Sequence, residues 1–125
     1  MSRKKFIESQ GATCRNWRWS WSFRNDEKKI VIFGEWATKG GLILDERWER
    51  NSAGKNKPAY PEALNNIRLV NSGVYTLKTF PMIYSDELED ENGRGPAKIK
   101  GFVPKLTQKT LNPPVGGQWY AIADR

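Results

Sequence analysis

Cys14 is the only thiol in a chain of 125 residues that contains no histidine, and these two facts decide most of the chemistry within reach. Histidine is the commonest general base, a principal zinc ligand and the middle member of Ser-His-Asp triads. Its absence removes HNH, zinc-protease and triad arrangements together. Cys14 could serve as a nucleophile only if nearby Arg15 and Arg18 depressed its pKa, and a lone cysteine beside a strand is more often a packing residue. Carboxylates gather at Asp86, Glu87, Glu89, Asp90 and Glu91, in a segment that reads as a loop with no fixed geometry for a metal. There is no GxGxxG and no phosphate-loop lysine motif; Gly40-Gly41 and Gly116-Gly117 read as turns. The expectation is a binding domain and not an enzyme, with no cofactor and no metal.

What remains is the interleaving of rings and cations in Arg15-Asn16-Trp17-Arg18-Trp19-Ser20-Trp21, where aromatic faces can stack on bases and arginines can reach phosphates or base edges. For any one tryptophan a place in the core is the commoner reading. A barrel can nevertheless leave one or two inward rings at a pocket mouth, and Trp36 and Tyr84 fall at strand ends where such a rim is expected. Charge points the same way: the formal net charge is +7, and without the five acidic residues of 86–91 the rest carries 21 basic against 9 acidic residues. A basic face with a separate acidic loop biases encounters toward polyanions such as nucleic acid, although a solvated surface reads alike.

The elements that must position these residues follow from periodicity. Strict alternation from Asn16 to Phe23 predicts a strand with Trp17, Trp19, Trp21 and Phe23 on one face and Arg18, Ser20 and Ser22 on the other. A polar turn at 24–28 then leads into the apolar run Ile30-Val31-Ile32-Phe33, which Gly34 ends or bulges. A third strand starts at Leu42 and runs toward Trp48. Pro61 opens an amphipathic helix with Ala63, Leu64, Ile67 and Val70 at helical spacing and Gly73 as the stop. Strands follow at 74–84, 97–102 and 118–123, with Pro81 forcing a bulge or an edge position. The sum is one α+β domain over 1–125: a mostly antiparallel, barrel-like sheet of about six strands with one helix. No apolar run reaches the roughly 18–20 residues of a membrane span and the N-terminus lacks a secretory h-region, so a soluble, cytoplasmic protein is expected.

Four segments carry a resemblance. The run from Gly11 to Phe23, then Val31-Ile32-Phe33-Gly34-Glu35-Trp36, then Leu77 to Met82 with Tyr84-Ser85, then Gly95 to Phe102, resembles the amino-terminal domain of bacterial HNH-endonuclease proteins labelled 5-methylcytosine-specific restriction enzymes. The likeness spans about residues 11–120. In those proteins the HNH module follows such a domain and carries the histidines and the metal, so cleavage does not transfer. What the resemblance implies is target recognition: a PUA-like or similar barrel that binds DNA and inspects a modified base by extruding it into an aromatic pocket. The candidate stacking residues are then Trp21, Trp36 and Tyr84. Arg18, Lys78, Lys98 and Lys100 are candidates for the backbone or base edges, and Asn16 and Ser22 for hydrogen bonds within the pocket. DNA is the expected partner, with a nuclease as a second. The rival expectations are a protein–protein module of a mobile-element system and a small-molecule or nucleotide-binding domain.

Overall fold

The apolar run Ile30-Val31-Ile32-Phe33 sits at the centre of the molecule, in a strand packed on both faces. This computed structural model describes residues 2–17, 20–36, 40–50, 54–85 and 98–124, for 84, 85 and 98–100 by backbone alone. The elements are α1 (Arg3–Ser9), β1 (Ser22–Asn25), β2 (Ile30–Trp36), β3 (Leu42–Asp45), a 3-10 turn (Glu46–Glu49), α2 (Ala59–Asn71), β4 (Thr76–Ser85), β5 (Lys98–Phe102), β6 (Thr107–Leu111) and β7 (Gln118–Ala123). Strands neighbour one another in the order β1-β2-β3-β7-β6-β4-β5, and β2 pairs again with β4. That second pairing closes β2, β3, β7, β6 and β4 into a five-stranded barrel, with β1 and β5 extending it outside.

The barrel-like α+β architecture is the one the sequence predicts, with three refinements. The sheet is mixed: β2 and β4 run parallel from Ile30↔Thr76 to Trp36↔Met82, which the long crossover through β3 and α2 permits. β6 is an added strand, hidden because Thr-Gln-Lys-Thr-Leu has no apolar alternation. α1 is an added helix, hidden because only Phe6 and Ile7 face inward from a cationic run. Ser2 caps it, its hydroxyl accepting from the Lys5 N–H at 3.1 Å.

Two apolar clusters lie on opposite sides of the wall. Val31, Phe33, Leu44, Leu77 and Ala121 join Tyr60, Ala63 and Ile67 of α2, whereas Ile32, Phe80, Met82 and Phe23 join Phe6 and Ile7 of α1. Since neighbours along a strand point to opposite faces, the first cluster is the barrel interior and the second its outer wall. β2 and β3 share only the pair Trp36↔Leu42, so α2 reaches the interior cluster beside β1, whereas α1 covers the outer wall. A strand covered on both faces must be apolar at consecutive positions, which explains the run in β2. Gly34 neither ends nor bulges this strand: a Cβ there would lie 2.5 Å from Met82 Cγ, so its missing side chain makes room for Met82.

Pro81 lies within β4, at the gap where β6 pairing stops at Thr79 and β5 pairing starts at Met82. Its carbonyl accepts from the Val103 N–H at 2.9 Å on that outer edge. N–H and C=O of one strand residue point to the same side, so the donor that proline lacks is missing where no ladder partner needs it.

The predicted strand over 16–23 is corrected. The Ser20 N–H donates to the Asn16 carbonyl at 2.8 Å, so the chain turns there and β1 begins only at Ser22. Trp17 packs on the outer cluster and Trp21 on the interior one, and strict alternation of the rings on one face is lost. Helix α2 imposes this course. Glu62 in its first turn accepts from the Arg15 N–H at 2.7 Å and from the Ser20 hydroxyl, and one turn later Asn66 donates to the Ser22 hydroxyl at 2.8 Å. Ser22 and Asn66 are both buried, so Asn66→Ala leaves a hydroxyl without its partner and is expected to cost about 1–3 kcal/mol. Urea unfolding checks this; a wild-type midpoint would show that the tie contributes nothing.

Candidate nucleic-acid interface

Helix α1 carries Arg3 and Lys4 onto the aromatic residues beneath it. Trp17 and Phe23 stack with ring centroids 5.8 Å apart and planes 24° from parallel. The Arg3 guanidinium lies 5.9 Å from the Phe23 centroid and the Lys4 ammonium 5.7 Å from that of Trp17. Each such contact is worth about 0.5–1 kcal/mol at an exposed site, enough to favour one pose of a flexible cation. Lys4, Lys5 and Arg15 are exposed and Trp17 is half-buried. Phe23 pairs with Ile32 and Ile32 with Lys78, so the half-buried Lys78 belongs to the same outer face. Cations therefore border an aromatic stack whose edge reaches solvent.

Cys14 adjoins this face. Burial pushes its thiol up, a hydrogen bond with Ser20 opposes the rise, Glu62 adds to it, and the Asn16 backbone and Arg3 oppose it, with a raised pKa as the result. A thiol held protonated is a poor nucleophile.

A second aromatic group lies across the wall. Trp48 in the 3-10 turn receives Trp21 edge-on at 6.1 Å and meets Trp36 at 5.7 Å, so Trp21 and Trp36 are linked through a third ring. Trp36 is buried, Trp21 and Trp48 are half-buried, and the Trp21 Nε1–H is buried with no acceptor among the described residues. Asp45 fixes the turn, accepting from the Arg47 side chain at 2.7 Å and from Gln118 at 2.9 Å. Burial alone would raise its pKa, but the hydrogen bonds from Arg47 and Gln118 and the Arg47 charge outweigh it and hold the carboxyl below its ordinary value. A folded pKa below the unfolded one gives stability that is complete above about pH 4 and is lost as pH falls through the folded value. Urea midpoints should accordingly fall more steeply between about pH 5 and pH 3 in the wild type than in Asp45→Asn; parallel curves would contradict this.

The structure spreads the sequence candidates over several places. Trp21 and Trp36 share Trp48, and Lys78 lies on the outer face. Ser22 is fully buried and its hydroxyl is engaged by Asn66. Asn16 is half-buried and its backbone holds the turn to Ser20. Arg18 and the acidic run 86–91 lie outside the described residues, as do the side chains of Tyr84, Lys98 and Lys100, whose backbones belong to β4 and β5. Arg3, Lys4, Lys5 and Trp48 are not among the sequence candidates, and Trp17 enters there only within the ring-and-cation run 15–21. The capping serine before Arg-Lys-Lys-Phe-Ile was the available signal for α1; nothing in the sequence marks Trp48 as a hub.

Fold and site together define a class, a small α+β barrel with a basic, aromatic outer face. Comparison with protein-family models, curated proteins and solved structures finds no match. Among the described residues no helix is long and apolar enough to cross a membrane.

Proposed function

We propose that this chain is a non-catalytic DNA-binding domain, a cytoplasmic, PUA-like reader of modified DNA that works with a separate nuclease. The observation that carries the reading is the placement of Arg3 and Lys4 over the Trp17–Phe23 stack, with Lys5, Arg15 and Lys78 on or beside that face. Cations held at an aromatic platform suit a phosphate backbone, where charge supplies most of the affinity and little of the specificity. The resemblance to the recognition half of HNH-endonuclease proteins supports the same reading. Lys4→Ala and Lys78→Ala should each weaken binding alike for all duplex sequences and lower the salt slope by about 1, with Glu8→Ala as the control. Wild-type affinity in both lysine variants would refute the assignment of this face.

One observation favours a protein partner elsewhere on the surface. Ile83 and Val103 are 50% and 42% exposed, and Ile83 stands opposite Gly101, two residues before Val103. An apolar pair on the β4–β5 extension, away from the cations of α1, suits docking of the nuclease.

A further inference from the structure

The barrel interior holds three polar groups, a charged pair and a hydroxyl that has no partner among the described residues. Along β2, Glu35 follows Val31 and Phe33 on the interior face; on β4, Thr79 follows Leu77 on the same face; on β6, Lys109 stands opposite Leu77. The Lys109 ammonium lies 3.6 Å from Glu35 Oε1, with side-chain exposures of 19% and 9%. That is an ion pair beyond hydrogen-bond distance, and among the described residues nothing donates a hydrogen bond to the Glu35 carboxylate. Thr79 is fully buried, and its Oγ1 has no partner among the described residues. The register places Thr79 between the other two, diagonal to Lys109 and to Glu35.

This arrangement is costly as packing alone. Buried polar groups are nearly always paired, and a buried ion pair offsets its desolvation only when further hydrogen bonds complete it. The same groups fit a visitor. Glu35 is the last interior residue of β2 before Trp36, and exposed Ala123 pairs with Lys109 across β6 and β7. The charged pair thus sits toward the Trp36 end of β2, with both side chains still in partial contact with solvent.

We infer that this end of the barrel is a base-edge site. The Glu35 carboxylate accepts from an exocyclic amine, the Lys109 ammonium donates to the adjacent ring nitrogen or carbonyl, and the Thr79 hydroxyl completes its hydrogen bonding on the bound base. Carboxylates match amine-bearing bases, so cytosine, adenine and guanine are favoured and thymine, which has no exocyclic amine, is disfavoured. The inference deepens the DNA reading above, since it names what an extruded base would meet, and it replaces Asn16 and Ser22 as the polar contacts.

The test is NMR titration of the labelled protein with 2′-deoxycytidine, 2′-deoxyadenosine, 2′-deoxyguanosine and thymidine. Saturable shifts centred on Glu35, Thr79 and Lys109 are expected, with thymidine weaker by about fivefold or more. Thr79→Val separates a binding role from a structural one. Removing an unsatisfied hydroxyl should raise the melting temperature of the free protein by about 3–6 °C while weakening nucleoside binding. Glu35→Gln combined with Lys109→Met, which leaves no unpaired charge, keeps the fold testable where Lys109→Met alone unfolds, and it should abolish binding. No saturable shift with any nucleoside, or wild-type binding by Thr79→Val and by the double variant, overturns the inference. If duplex DNA is still bound in that case, only the base-edge site falls; if nucleosides bind and duplex DNA does not, the base-edge site stands and the DNA reading falls.

Discussion

Gly41→Ala is expected to destabilise the protein by about 2–5 kcal/mol. The residue adopts φ +87°, and an added Cβ would lie 2.4 Å from the Ala121 carbonyl oxygen and 3.3 Å from Glu35 Oε2. The left-handed backbone costs a side chain about 1–2 kcal/mol, and overpacking against an immobile backbone oxygen adds about 1–3 kcal/mol. The clash falls on the barrel seam, because the Ala121 N–H donates to the Gly41 carbonyl at 2.9 Å and so ties β7 to the start of β3. Gly40 is the internal control. Its φ is +71°, yet among the described residues nothing lies within 4 Å of a Cβ there, so Gly40→Ala should show the backbone cost alone. Equal urea midpoints for the two variants would mean that the seam is not as close as described.

Trp48→Ala should cost about 2–4 kcal/mol, the lower part of the usual range for a tryptophan because the ring is only half-buried. It removes two ring contacts at once, those to Trp21 and Trp36, each worth about 0.5–1.5 kcal/mol beyond the area they bury. Function should respond differently. The cations of α1 and β4 lie on the other side of the wall, so duplex affinity of the folded variant is expected to stay within about twofold of wild type, since distant and independent sites add. A large loss of DNA affinity with the fold intact would move the interface from the Trp17 stack to the Trp21–Trp48–Trp36 group.

Some of this architecture was legible because single segments carry it. Ile30 to Phe33 is apolar at every position, as a strand buried on both faces must be, and Pro61, Ile67 and Gly73 mark α2 by local chemistry. The Trp-rich segment misled for a tertiary reason. Its alternation is that of a strand, but Glu62 and Asn66 of a distant helix capture Arg15, Ser20 and Ser22 and turn the chain before β1 starts. α1 has a weak local signature, since its seven residues hold only two apolar ones, and the seating of Arg3 and Lys4 on the rings of Phe23 and Trp17 is a tertiary contact. The parallel pairing that closes the barrel has no local signature at all. Without it, Glu35, Thr79 and Lys109 cannot be brought together from sequence, since they lie on three different strands.

The most direct measurement for a DNA-binding role is fluorescence anisotropy of a labelled duplex titrated with the wild-type protein over a salt series. With four or five phosphates met by Arg3, Lys4, Lys5, Arg15 and Lys78, log Kobs should fall with log salt at a slope of about −3.6 to −4.5, so that affinity drops roughly 150- to 500-fold between about 50 and 200 mM salt. No binding at the lowest salt, or binding whose slope is near zero, would contradict a basic face built for the phosphate backbone.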